Sequence, residues 1–237
     1  MGLVYLQGKD MQYVQDDSMQ GIYYYEGILR RKGICIPSGK LHFTWKQGEL
    51  RVLSFHVQPM EWQVEDHNEI PIYGVVMDPQ YAIQGNEQEI QQFFEQIVAA
   101  PTFVQRKHIF RDKWENVFLP KRVHPLLEQV DRMITETDGK AVMENIAYEL
   151  GYTTRQIEKM FKREYGYGPK MFARMIRLQA ALRKMEEDTG STFAQIAEET
   201  GYSDPSHFQR EFRRFVGMTP KQFQTEYFRS NPGINLQ

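Results

Sequence analysis

In 237 residues the chain has one cysteine, Cys35. A single thiol excludes an internal disulfide framework and a thiolate zinc site, and it fits a reducing compartment. Nor is there any run approaching the roughly 18 to 20 apolar residues of a membrane span. The opening MGLVYLQGKDMQYV lacks the basic-then-apolar layout of a secretory signal. The expected compartment is therefore the cytoplasm, with no membrane partner. No G-x-S-x-G, no G-x-x-x-x-G-K-[ST] and no G-x-G-x-x-G occurs, so no catalytic residue and no nucleotide cofactor is expected. His42, His56 and His67 each stand alone, without the H-x-H pair of a metal-holding barrel, and no metal is expected. Cys35, inside an apolar strand, reads as packing.

What is present divides in two. Residues 1–119 carry 11 Lys and Arg against 15 Asp and Glu, net −4, and residues 120–237 carry 18 against 16, net +2. This permits a basic surface in the second half without requiring one. The first half reads as strands. Segments 21–37, 40–45, 50–64 and 70–77 are rich in β-branched and aromatic residues and are punctuated by Gly and Pro, as in a small sandwich or barrel. Tyr23, Tyr24, Tyr25, Trp45 and Trp62 are aromatic residues of this half, and their alternatives are core packing and a ligand pocket. The period changes at NEQEIQQFFEQIVAA, residues 86–100. Asn86 with Glu89 is a capping-box start, and Ile90, Phe93, Phe94 and Ile97 form one stripe, so this is a helix. Residues 102–120 are open between helix and connector.

From Lys121 onward the pattern is helical, and it contains an internal repeat. Residues 146–172 read IAYELGYTTRQIEKMFKREYGYGPKMF and residues 196–223 read IAEETGYSDPSHFQREFRRFVGMTPKQF. In each copy a short helix stops at a glycine, Gly151 or Gly201, which tolerates a left-handed C′ conformation. A second helix then starts at a cap, Thr153 or Thr154 in the first copy and Ser203 or Asp204 in the second. Pro205 suits the first helical position. Helix, glycine turn, capped helix is the helix-turn-helix pattern, whose second helix enters the major groove.

The faces of the second helices divide accordingly. Ile157, Met160 and Phe161 make one buried stripe, and Phe208, Phe212 and Phe215 the other, which leaves the cations outward. Between the copies Pro169 opens a helix over 169–187, with a stripe through Phe172, Met175, Ile176, Leu182 and Met185 and a stop at Gly190. Some 19 residues at about 1.5 Å each span roughly 28 Å, near the roughly 34 Å between successive major grooves on one face of the duplex.

With these residues in place, the region from about 121 to 229 resembles the DNA-binding domain of the AraC/XylS family of transcription regulators. The family's second helix-turn-helix pattern is met by Ile196, Ala197, Gly201, Tyr202, Asp204, Ser206, His207, Phe208, Arg210, Phe212, Arg213, Gly217, Thr219, Pro220 and Phe223. In the first copy Gly168 stands where the family has Ser or Thr before the proline, and Glu158 where relatives often carry a neutral or basic residue. The resemblance implies an α+β protein: a β-rich N-terminal domain over 1–118, of which a cupin-like barrel is one form, and an all-α domain over 119–237 with two helix-turn-helix units, about 141–165 and 192–216, joined by a long helix. It implies sequence-specific binding to double-stranded promoter DNA, RNA polymerase as a partner, and an N-terminal half that senses a small-molecule effector or forms a homodimer. Carried over by position, the base-edge residues are Thr154, Arg155, Glu158 and Lys159 in the first unit and Pro205, Ser206, His207 and Arg210 in the second. Arg155, Lys159 and Arg210 can donate to guanine, and Glu158 can accept from cytosine. Lys162, Arg163, Gln209, Arg213 and Arg214 are the phosphate-holding set. The alternative of a different class is a β-domain enzyme or carbohydrate-binding module with a helical interaction tail.

Overall fold

The computed structural model describes residues 3–6, 12–14, 21–29, 32–53, 60–63, 69–78, 81–120, 123–188 and 190–228. His56 and His67 lie outside the described residues, as does the side chain of Trp62. Strands come first: β1 (Leu3–Leu6), β2 (Gln12–Val14), β3 (Ile22–Leu29), β4 (Lys32–Ile36), β5 (Leu41–Lys46), β6 (Glu49–Leu53), β7 (Met60–Gln63), β8 (Ile70–Met77) and β9 (Tyr81–Ile83). Helices α1 (Glu87–Ala99) and α2 (Phe103–Lys113) follow, then β10 (Phe118–Pro120). The segment left open over 102–120 is thus mostly helix, ended by a strand paired antiparallel with β9.

The sheets are antiparallel, one in the order β2-β3-β8-β5-β6 and one in the order β1-β4-β7. The five-stranded sheet has a different role for each face, because successive side chains of a strand point to opposite sides. One face presents Ile22, Tyr24, Phe43, Trp45 and Val75 to α1 and α2, where they share a core with Phe93, Phe94, Ile97 and Phe110. The Asn86–Glu89 capping box that starts α1 is present as expected from sequence. The other face carries a buried polar layer. Tyr25 Oη lies 2.8 Å from Thr44 Oγ1, and His42 joins Cys35 Sγ (3.3 Å) to Ser38 Oγ (2.9 Å). Cys35 is fully buried, and burial pushes its thiol well above the ordinary range, so it is packing rather than a nucleophile.

The C-terminal half contains α3 (Pro125–Glu136), α4 (Met143–Leu150), α5 (Thr154–Tyr165), α6 (Pro169–Glu187), α7 (Phe193–Glu199), α8 (Pro205–Val216) and the short α9 (Pro220–Phe223), which runs into a π-turn over Gln224–Phe228. Ile34 and Ile36, on the side of β4 opposite Cys35, enter the same core as Leu127, Phe161, Phe172 and Ile176. The three-stranded sheet is therefore packed between the five-stranded sheet and the helices. Helix α6 ends at Glu187, three residues before Gly190. Asp188 closes it and accepts the Gly190 N–H at 3.0 Å. Among the described residues no helix is long and apolar enough to cross a membrane.

Candidate nucleic-acid interface

Both units use the same turn. The Tyr152 N–H donates to Ala147 O and the Tyr202 N–H to Ala197 O, each at 2.9 Å, around Gly151 (φ 72°) and Gly201 (φ 78°). This closes the last turn of the first helix with a left-handed residue, which glycine adopts without a Cβ clash. Of the alternative caps, Thr153 and Asp204 do the work. Thr153 forms a reciprocal box with Gln156, and Asp204 accepts the His207 N–H at 2.7 Å, with Pro205 in the first helical turn. That N–H, joined by the Ser203 hydroxyl, holds the Asp204 carboxyl below the ordinary carboxylate range. Helices α5 and α8 then run 12 residues each and end at Gly166 and Gly217, both with positive φ.

The apolar side of each recognition helix is buried: Ile157, Phe161 and Tyr165 in α5, and Phe208, Phe212, Phe215 and Val216 in α8. Met160 is only half-buried, on the edge of that core. The rings interlock within each unit, Phe161 with Tyr165 at 4.5 Å between centroids and Phe208 with Phe212 at 5.6 Å. Interlocking of this kind fixes the pitch of the helix against its support.

The opposite sides carry the residues read from sequence. Arg155, Glu158, Lys159, Lys162 and Arg163 are exposed on α5, while Thr154 is half-buried at its start. Pro205, Ser206, Gln209, Arg210, Arg213 and Arg214 are exposed on α8. His207 differs from an outward-reaching residue. It is half-buried, with Nδ1 3.0 Å from Ser203 Oγ and its ring edge-on to Tyr202 at 5.4 Å. Each helix thus presents a polar face carrying at least three cations, of the kind that meets phosphates and guanine edges.

Two supports were not read from sequence. Arg174 of α6 makes a forked contact with Glu211 of α8, Nε to Oε2 at 2.6 Å and Nη2 to Oε1, and its guanidinium lies 5.3 Å from the Phe215 ring centroid. Burial pushes Glu211 up, but the Arg174 hydrogen bonds and charge outweigh it and leave the carboxyl below its ordinary value. A signal existed: aligning the copies puts Glu211 at the position of Met160, a charge inside an apolar stripe. The second support is Arg177, whose Nη2 donates to Gly139 O at 2.6 Å while its guanidinium faces the Tyr202 ring. Among the described residues no cluster of His, Cys, Asp and Glu could hold a metal ion.

Comparison with known proteins bears on the same region. The sequence family described as "Helix-turn-helix domain" matches residues 146–226. The HTH-type transcriptional regulator ArgR of Pseudomonas aeruginosa is 31% identical over 100 residues, covering 42% of this chain and 30% of that protein. The HTH-type transcriptional regulator GlxA of Rhizobium meliloti is 32% identical over 98 residues, 41% of this chain and 30% of that protein. The chain therefore spans less than a third of the length of these relatives. Among solved structures, an apo variant of ToxT from Vibrio cholerae strain SCE256 aligns over 95% of this chain and 96% of its own with a TM-score of 0.50 at 13% identity, a likeness of fold alone.

Proposed function

The C-terminal region of the chain is an AraC-type helix-turn-helix domain, and from that premise we propose that the protein regulates transcription by sequence-specific binding to promoter DNA, with α5 and α8 in successive major grooves. One observation carries the reading. The same glycine turn, cap and basic-faced helix occur twice, on either side of the 19-residue α6. At about 1.5 Å per residue α6 spans most of the roughly 34 Å between grooves on one side of the duplex.

In this reading Arg155, Lys159 and Arg210 donate to guanine O6 and N7, and Thr154, Glu158, Pro205, Ser206 and His207 complete the base-edge set. Lys162, Arg163, Gln209, Arg213 and Arg214 hold phosphates and set the register without reading sequence. The β-rich half senses a small effector or pairs with a second copy, and RNA polymerase is the partner that the bound protein recruits or blocks.

Selection of bound duplexes from a random pool tests the proposal. The expected result is one enriched motif with two half-sites about one helical turn apart. Its affinity should fall by orders of magnitude between about 50 and 200 mM salt while the preference over other sequences persists. Recovery of no motif would favour an enzyme or carbohydrate-binding β-domain with a helical interaction tail.

A further inference from the structure

A cavity of about 510 Å³ opens where the sheets meet the helices. Clefts that hold small molecules run from roughly 300 to 1,000 Å³. On the sheet side the wall is the Ser38–Lys40 turn with Tyr23 and Asp78; on the helical side it is one face of α3 and the stretch of α6 from Phe172 to Arg183. On the far side of the five-stranded sheet from α1 and α2, Tyr25 is fully buried. The Tyr25 ring lies on Gly74, where a Cβ would collide with it, and its hydroxyl is 2.8 Å from Thr44 Oγ1.

The junction wall is chemically biased. Asp78 is paired with Lys40, and Asp138 with Arg183 at 2.7 Å. Setting those pairs aside, α3 contributes Glu128, Asp131 and Glu136 against the single Arg132. Burial, with the charge of Asp78 behind it, pushes the Asp131 carboxyl up to about 6 in spite of the Thr135 hydroxyl and Lys40. A positive charge brought beside that carboxylate relieves the cost of its ionisation. The wall also shows how it receives a cation, because the Lys40 ammonium sits 4.7 Å from the centroid of the Tyr23 ring while it contacts Asp78. Tyr165 and Phe172 supply further aromatic surface.

We propose that this junction cavity is the effector site, and that it takes a small organic cation, an amine or guanidinium on a short carbon body. The charge rests against Asp131, which no cation pairs among the described residues, and the body lies on Tyr165 and Phe172. The inference rests on the sensor reading of the β-rich half and gives it a place and a ligand class. It also supplies a route to the DNA-facing helices. Gln179 of α6 donates to Ser38 O at 3.1 Å, and Tyr167, two residues before α6, donates to Gly39 O at 2.8 Å, both from buried side chains. Gly39 has φ +74° and so little room that a Cβ there would lie 2.9 Å from Phe172. The turn lining the cavity is thus pressed onto the helix that joins the two recognition units, and an occupant that shifts the turn shifts α6.

Titration calorimetry on the full chain tests this with agmatine, putrescine and choline as cationic probes and octanoate as the anionic one. The expected result is saturable binding of at least one cation and no binding of octanoate. Asp131→Asn should weaken the cation about tenfold or more. Thr135→Phe, which fills the cavity from its exposed rim, should abolish binding while the chain still unfolds cooperatively. The proposal is overturned if no cation binds, if octanoate binds in their place, or if both variants bind as the parent does. Mobility shifts on the selected duplex separate the two readings. A chain that selects its duplex but binds no cation refutes the cavity and leaves the DNA reading standing; one that binds a cation but selects no duplex does the reverse.

Discussion

The unit formed by α4 and α5 and the unit formed by α7 and α8 share a turn to the hydrogen bond, but they are held in place by different forces. In the first, the outer edge of α5 packs through Met160, and the following Tyr167 and Phe172 carry it onto the sheets through Gly39 and Ile34. In the second, the equivalent position is Glu211, fixed to α6 by Arg174. The repeat preserves backbone geometry, which the groove requires, and leaves the support free to diverge. The first unit is tied to the β-rich half by the Tyr167 hydroxyl, which donates to Gly39 O.

Removing the charged support should break the second unit while sparing the first. Arg174→Ala leaves a half-buried carboxylate without its partner, and a loss of about 3 kcal/mol is expected in urea unfolding. The double variant Arg174→Met with Glu211→Met, which copies the apolar solution of the first unit, should recover most of it. The effect is pH-dependent. Glu211 titrates below its unfolded value, so its contribution is full above about pH 4.3 and is lost as the pH falls through the folded value. The difference between Arg174→Ala and the parent should therefore shrink in acid. A loss that is constant with pH would mean that Arg174 acts through Phe215 packing instead.

On DNA, the two units should differ by role rather than by strength. Arg210→Ala is expected to cost about 1 to 3 kcal/mol on the selected duplex and to relax preference at one base pair of one half-site. Lys159→Ala should do the same in the other half-site. Lys162→Ala should weaken all sequences about equally and lower the salt slope by about one. Binding curves on selected and scrambled duplexes distinguish these outcomes, and equal losses on both duplexes for Arg210→Ala would remove it from the base-edge set.

Asp131 probes the junction between the β-rich half and the helices. Its folded value, raised to about 6, lies above the unfolded one near 3.9, so the fold is favoured when the carboxyl is protonated. Stability falls as the pH rises between those values, and the penalty is complete above the upper one. Asp131→Asn should accordingly be neutral near pH 4 and stabilising by about 1 to 2 kcal/mol at pH 8, allowing for screening through the cavity mouth. Thermal unfolding across that range checks it, and a variant less stable than the parent at pH 8 would show that the carboxylate is already compensated.

These contrasts also mark what could be read from sequence. Gly151 and Gly201 are legible, and the caps at Thr153 and Asp204 to within one residue, because a cap or a left-handed stop is decided within four residues. The stripes are legible because helical period sorts Phe208, Phe212 and Phe215 to one side. The Arg174–Glu211 contact joins residues 37 apart and the Gln179–Ser38 bond residues 141 apart. No local pattern encodes such partners. The sheet order was likewise hidden, because strands such as β8 are buried on both faces and do not alternate cleanly.

The smallest difference between the units is at the start of the helix that follows each of them. Thr219 caps α9 in a reciprocal box with Gln222. In the first copy the matching positions are Gly168 and Met171, and α6 begins without a side-chain cap. Gly168 has an extended backbone, φ −83° and ψ 161°, that any residue can adopt. A Cβ there would lie 2.9 Å from Glu158 Oε1, so the Glu158 carboxylate occupies the space a capping side chain would take. Two departures from the family pattern thus explain each other. Gly168→Ser should add a few tenths of a kcal/mol through the new cap. It should also displace the flexible end of Glu158 and change the preferred base at its half-site position, while leaving the α8 half-site untouched. Duplex selection with the variant measures this, and an unchanged motif at both half-sites would place Glu158 outside the base-edge set.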